Sequence, residues 1–430
     1  MRAAVIPLPE SAKPYSHKAF PFRDGTSMRS FYKSPYRFAT ACGLALQGLG
    51  LVPFDVDLLP EKKQSFFARI KNRFSKKRPV AAWGMDVGNS CMKAVKIVLD
   101  ADGVPVIEHC FHCHYHFDSA SKRTKKSETD ISETKIMDVL DEPSGSPFMR
   151  DEHSVAPQEL DFSSKRKLAV KAFLHQYEYQ GEIICVGYPA QDLICANVAI
   201  PANTPEIAEA AIPFEFKHHL PYDEDRFIPN YMCLGAMDDE GVTKQCFYLF
   251  SAKISTMRES LDLLDEFGIA PDMMTTNVLA NLNYATFFLM HPPSTLTPEE
   301  TFEPPEVESI LSCDMGSLGT DLVFYSMKEI LHYYIPIGGD HFTKEIATVL
   351  NIPLVRAEGF KRNPLQSGHD KEIVEALKPV VRRLVQEITL RMERFRKSGG
   401  KLDKVVVMGS GFQLQGFEAY FRNVLKNLWK

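Results

Sequence analysis

Two strand-length apolar runs in this chain end in the same polar phrase. The first ends in Gly84-Met85-Asp86-Val87-Gly88-Asn89-Ser90 and is followed by a second run, Ala94 to Leu99. The other ends in Ser312-Cys313-Asp314-Met315-Gly316-Ser317-Leu318 and is followed by Leu322 to Tyr325. Each reads as strand, acidic-glycine turn, strand. A third element, Asp403 to Met408, has a buried-strand pattern and runs into Gly409-Ser410-Gly411-Phe412, then a helical run, Phe417 to Leu428. A hairpin of the first kind turns backbone N–H groups toward one point and sets a carboxylate beside them, a nest for phosphate and its metal. Glycines between a strand and a helix let backbone approach a flat ligand. A lone Asp-x-Gly is an ordinary turn; three such elements in this order point to a nucleotide clamp.

Elsewhere the periodicity predicts a helix over Phe162 to His175 and a buried strand over Glu182 to Gly187. A small α/β unit spans about Asn197 to Met274, with helix Pro205 to His219, strands Phe227 to Leu234 and Gln245 to Ser251, and helix Ile254 to Phe267. A long helix is expected over Glu372 to Lys397. Upstream, Phe38 to Phe54 is uncharged, yet it is short of a membrane span and broken by Gln47, Gly48, Gly50 and Pro53, so Phe38 to Leu46 reads as a buried helix. Ser65 to Phe74 places Phe66, Phe67, Ile70 and Phe74 at helical spacing among arginines and lysines, a face for an anionic membrane or for its own domain. Asp118 to Glu159 is polar and aperiodic and reads as a loop, disordered or lightly structured.

Composition narrows the class without changing it. The 430 residues are 44% hydrophobic and 24% charged, enough for a sizeable core in two or three domains. A net charge of −5 gives no bulk electrostatic case for nucleic acid. The nine cysteines lie mostly in apolar runs and are odd in number, which reads as reduced and intracellular. His109-Cys110-Phe111-His112-Cys113-His114-Tyr115-His116 is dense in metal-ligand types, but strand alternation spaces Cys110, His112, His114 and His116 about 7 Å apart, wide for tetrahedral zinc.

The order of the two Asp-Gly hairpins and the Gly-Ser-Gly turn resembles the actin-like ATPase fold, an α/β two-lobed ribonuclease H-type architecture, and within it the PilM family of type IV pilus assembly proteins, relatives of FtsA. Trp83 to Ser90 with Lys93-Ala94-Val95 is similar to the family's first phosphate motif, and Ile335-Pro336-Ile337-Gly338-Gly339-Asp340 with Thr343 to the turn after the second. Ala199-Ile200-Pro201 and Glu209 to Pro221 resemble its middle strand, helix and turn. Tyr36 to Gly50 resembles the family's last helix, yet here it precedes the first strand, and the chain stops at Lys430 where the family would continue. A circularly permuted order, a fusion remnant or an assembly artefact would each produce this. Phe54-Asp55-Val56-Asp57-Leu58-Leu59-Pro60 resembles the tail by which the membrane protein PilN engages PilM, and reads equally as an extended connector.

The resemblance implies ATP and Mg²⁺ as cofactors, with Asp86 and Asp314 in the metal-water shell. Gly88, Asn89, Ser90, Lys93, Gly316, Ser317, Thr320, Gly338 and Gly339 would serve the phosphates; Glu387, Arg391, Gly409, Ser410, Gly411 and Phe412 would face the adenosine. Where relatives carry acidic residues after Gly268-Ile269-Ala270-Pro271, this chain has Thr275 and Asn277. Asn277 can orient a water but cannot take its proton, so hydrolysis should be slow or absent. The implied division is 1–35, an irregular start; 36–50, the displaced helix; 51–79, a linker; 80–195, the first lobe with a loop over 114–158; 196–274, an inserted subdomain; and 275–430, the second lobe and the return to the first. The implied role is a cytoplasmic, nucleotide-binding scaffold at the inner membrane of a pilus or type II secretion platform, with a PilN-like tail as partner, and with self-association and peripheral membrane contact as further expectations. A sugar or acetate kinase of the same superfold, or a filament-forming FtsA-like protein, are the alternatives.

Overall fold

The structure, a computed structural model, describes residues 5–7, 35–59, 79–115, 161–179, 181–220, 223, 225–290, 307–397 and 399–428. The basic stretch Ser65 to Phe74, nearly all of the polar loop and most of the irregular start lie outside the described residues. In chain order the elements are β1 (Val5–Pro7), α1 (Ala39–Gly48), β2 (Ala81–Val87), β3 (Cys91–Leu99), β4 (Pro105–His114), α2 (Phe162–Gln176), β5 (Ile183–Tyr188), β6 (Leu193–Pro201), α3 (Pro205–Glu209), α4 (Ile212–His219), β7 (Phe227–Asp239), β8 (Val242–Lys253), α5 (Ile254–Asp265), β9 (Met273–Thr276), α6 (Asn277–Met290), β10 (Ser309–Met315), β11 (Thr320–Ser326), β12 (Ile330–Ile335), α7 (Gly339–Leu350), α8 (Leu354–Arg362), α9 (Asp370–Lys397), β13 (Lys404–Met408) and α10 (Phe417–Leu428).

Two five-stranded sheets follow one plan. The first runs β4-β3-β2-β5-β9 and the second β12-β11-β10-β13-β1, with a smaller β6-β8-β7 sheet inserted in sequence between β5 and β9. In each large sheet the central strand, β2 or β10, is antiparallel to the strand after its hairpin and parallel to the next one in, β5 or β13. Asp86 and Asp314 therefore sit near the ends of matching central strands. The plans part at the edge: β9 runs parallel to β5, whereas β1, drawn from the start of the chain, pairs antiparallel with β13.

Helix α1 lies where the two lobes meet. All ten of its residues are buried, and it shares a core with Ala82 and Val95 of the first sheet, Ile310 and Met408 of the second, and Tyr284 of α6. Two glycines allow the approach. A Cβ on Gly43 would lie 1.9 Å from the Ala280 carbonyl oxygen, and one on Gly84 2.0 Å from that of Ala41. The helix ends in a Schellman motif, with Leu51 N–H bonded to Leu46 O at 3.0 Å, Gly50 N–H to Gln47 O at 2.8 Å, and Gly50 at φ +66°. Among the described residues no helix is long and apolar enough to cross a membrane.

The chain then runs extended from Pro53 to Leu59, with Phe54, Val56 and Leu58 buried between exposed neighbours. Leu58 N–H bonds to Met274 O at 2.7 Å, and Met274 N–H returns to Asp57 Oδ1 at 3.0 Å, so the segment lies along the open edge of β9. Asn283 on α6 clamps both backbone groups of Phe54, and Asn230 on β7 holds Asp57 O at 3.1 Å.

The expected helix Pro205 to His219 is two helices. Pro213 lacks the N–H an uninterrupted helix would use and stands instead in the first turn of α4, where that donor is not needed. Strands β7 and β8 outrun their expected lengths. A bulge at Cys233 to Gly235, with Gly235 at φ +144°, lets the ladder continue past the expected end to the Glu240-Gly241 turn. All nine thiols are unpaired.

Candidate nucleotide cleft

The two Asp-Gly hairpins close alike. Gly88 N–H bonds to Cys91 O at 3.1 Å and Gly316 N–H to Gly319 O at 2.9 Å. Asn89-Ser90 and Ser317-Leu318 form the tips. Across the second tip, Gly339 N–H bonds to Gly316 O and Asp340 N–H to Ser317 O, both at 2.9 Å, so the first donors of α7 pin the hairpin in place. Gly338 is required there, because a Cβ would meet the Ser317 oxygen at 2.6 Å. Thr320, fully buried, holds the Ile337 carbonyl at 2.8 Å and fixes the same turn from behind.

Asp86 is buried and faces Lys93 on the neighbouring strand, Nζ to Oδ2 at 2.7 Å. Burial works against the charge on Lys93, but Asp86, Cys91 and Asp314 outweigh it and raise its pKa. Asp314 Oδ2 accepts from Asn281 Nδ2 at 3.0 Å and lies 3.4 Å from Thr40 Oγ1, which donates to Asn281 Oδ1 at 2.9 Å. Burial pushes the Asp314 carboxyl up to about 6; Lys93 pulls the other way, while Asp321 and Asp86 push with it. Both carboxylates thus act on one ammonium, an environment that suits a cation.

One cavity of about 270 Å³ is lined by Ser90 of the first tip, Gly316 and Ser317 of the second, and Ser410 and Gly411 after β13. The three elements singled out in the sequence converge on it. Arg37, His114, Lys361 and Arg362 line it as well. Gly409, at φ +82°, makes the turn; a Cβ there would meet Met315 O at 2.3 Å and Asp314 Oδ1 at 2.4 Å. Phe412 is buried against Phe417 and Phe421, anchoring the turn from the core side. Glu387 and Arg391 pair with each other one turn apart on α9, with Arg391 over the Tyr333 ring. Thr275 Oγ1 and Asn277 Oδ1 are buried without a hydrogen-bond partner among the described residues, and Asn277 presses on Gly187.

In the histidine-rich strand the rings close up more than the backbone spacing of alternate residues implies. The His112 and His114 rings approach to 4.3 Å, and with Cys91 each offers a ligand atom within 4.8 Å of the others. Cys91 joins from β3, where it pairs in register with His114. Yet His112 Nδ1 lies 3.3 Å from Arg37 Nη1, and His114 Nε2 lies 3.3 Å from Arg362 Nη2. A guanidinium only donates, so these nitrogens accept and the ring protons sit on the other two. Metal-binding histidines have the opposite outer shell, an acceptor. Burial, Arg37, His114, Lys93 and Arg362 together hold His112 well below its usual range, and neutral.

Sequence reasoning missed Arg37, Thr40, Asn281, Glu358, Lys361 and Arg362. A partial signal existed for two pairs: Asn277 and Asn281 stand one turn apart on a mostly apolar helix, and Glu358 and Lys361 share a face of α8.

The family model for the type IV pilus assembly protein PilM matches residues 130–427. Among solved structures, the PilM-PilN type IV pilus biogenesis complex aligns at TM-score 0.54 with 18% identity, covering 80% of this chain and 85% of that one. The ethanolamine utilization protein EutJ from Carboxydothermus hydrogenoformans gives TM-score 0.38, 12% identity, and 82% and 84% coverage. MreB 5 of Spiroplasma citri bound to AMPPNP gives 0.37, 12%, and 81% and 90%. No curated protein sequence matches. The fold is actin-like, and the family match spans well over half of the residues: this chain belongs to the type IV pilus assembly protein PilM family.

Proposed function

We propose that the chain is a nucleotide-binding scaffold of a type IV pilus or type II secretion assembly platform, working through nucleotide-dependent shape. The observation that carries this is the convergence of both hairpin tips and the Gly-Ser-Gly turn on one cavity. In this reading Ser90, Ser317 and the tip amides meet phosphates, and Gly409 to Gly411 admit the adenosine. Asp86, ion-paired to Lys93 Nζ at 2.7 Å, and Asp314, whose charge acts on the same ammonium, are the carboxylates that would hold a Mg²⁺ ion. When bound, the ion would neutralise phosphate charge. Thr275 and Asn277 offer unfilled hydrogen-bonding capacity to a water but no base, so turnover is slow or absent.

The partner follows from the extended segment. A solved relative is a complex with PilN, and Phe54 to Leu59 both resembles such a tail and runs beside β9, with a backbone hydrogen bond from Leu58 to Met274. This chain then carries its own occupant of a PilN-type groove, joined to α1 in a permuted order of the family fold, with divisions at 36–50, 80–195, 196–274 and 275–430. The reading places the protein on the cytoplasmic face of the inner membrane, held peripherally, where it self-associates. Thermal shift separates this from the kinase alternative: ATP with Mg²⁺ should raise the melting temperature where sugars and acetate do not. A shift with a sugar and none with ATP would overturn it.

A further inference from the structure

Arg37 enters the cavity from the turn preceding α1, and its contacts among the described residues are neutral. Its guanidinium meets His112 Nδ1 at 3.3 Å and Gln413 Oε1 at 3.4 Å, and its Nε is buried without a hydrogen-bond partner. The cavity lining carries both signs: Arg362, from α8 across the cleft, and Lys361 are cationic, and Asp340 and Glu358 are anionic. Glu358 cannot serve Arg37, because it already holds Lys361 at 2.6 Å and the Nε of Arg362 at 2.9 Å. Arg362 Nη2 is left reaching to His114.

A half-buried guanidinium whose hydrogen bonds go only to neutral groups is incompletely compensated. Two guanidiniums line one cavity, Arg37 with the neutral His112 imidazole behind it and Arg362 with an Nη reaching past Glu358 to His114, and their remaining N–H donors are ones an anion can meet. Planar forks of this kind suit phosphate oxygens, which accept two parallel N–H bonds at once. We propose that Arg37 and Arg362 hold a phosphate group in the cleft, one guanidinium from the segment before α1 and the other from the second lobe. The phosphoanion thereby ties the displaced helix to the opposite side of the cleft. This deepens the nucleotide reading, on which it rests for the identity of the phosphate's carrier.

The test is isothermal titration of the full chain, wild type, Arg37→Gln and Arg362→Gln, with MgATP, magnesium pyrophosphate and adenosine. Each variant should lose about tenfold or more in affinity for MgATP and pyrophosphate and keep its affinity for adenosine. The unliganded Arg37→Gln protein should melt no lower than wild type, since the change removes an incompletely compensated charge; a residue serving only structure would melt lower. Arg37→Lys should recover part of the loss. Pyrophosphate binding that depends on Arg37 without any ATP binding would sustain this site and sink the nucleotide reading. Equal MgATP affinity in wild type and both variants, or no binding of either phosphate compound to wild type, overturns the proposal.

Discussion

Lys93 and Asp86 face each other as register partners on β3 and β2, with the ammonium 2.7 Å from the carboxylate and both side chains largely out of water. A carboxylate needed for a metal shell would be expensive to bury alone; Lys93 offsets that cost until an ion arrives. Lys93→Met should therefore strip Asp86 of its partner and destabilise the unliganded protein by about 3 kcal/mol. Urea unfolding measures it. A change under about 0.5 kcal/mol would mean the pair is idle.

Asp314 predicts a pH dependence. Its carboxyl titrates at about 6 in the fold against an ordinary 3.8, so between those values the folded state binds more protons than the unfolded one. This contribution makes stability fall as pH rises from about 4 to about 6, then stay level. Asp314→Asn should flatten that slope and add about 1–2 kcal/mol at pH 7.5. Unfolding curves at pH 4.5 and 7.5 that keep the same difference in both proteins would remove Asp314 as its source.

His332 has the same sign in a higher pH window. It bonds to Asp321 at 2.9 Å, and although burial opposes its charge, Asp321 and Cys195 raise it to about 9. Its stabilisation is complete below about pH 6.5 and is lost as pH rises through 9. His332→Gln should abolish this part of the loss of stability that wild type shows between about pH 6.5 and 9 in thermal melts.

The docking of α1 is testable at its glycines. Gly43→Leu and Gly84→Val each place atoms where Ala280 and Ala41 backbone already stands, and each should cost about 3 kcal/mol or more. Wild-type stability in both would show that the helix does not pack there.

The segment on β9 predicts competition. Leu58 is 1% exposed, and tethering gives it an effective concentration on the order of millimolar. Changing Leu58 and Leu59 to Ser should release it, so that a synthetic PilN-type tail binds the double variant better in fluorescence anisotropy. Equal binding by both proteins would leave the segment a connector.

The hairpins and the Gly409 turn were legible because their chemistry is local: Asp, Gly and a strand-length run lie within a few residues. The buried helix was legible from its lack of charge, and its site was not, because Gly43 and Gly84 reveal their role only once α6 and β2 lie against α1. Arg37 and Arg362 reach the cavity from elements more than 300 positions apart in sequence, and no pattern links them. The antiparallel β1 is three residues long, too short for periodicity to report. Alternation measured the spacing of His112 and His114 along one strand; it could not show Cys91 arriving from the next.

Isothermal titration with MgATP tests the central claim most directly. Wild type should bind, Asp86→Ala should bind more weakly through lost charge in the metal shell, and Gly409→Val should bind more weakly because the new side chain displaces Asp314 and closes the turn. No heat from wild-type protein with MgATP would contradict the account.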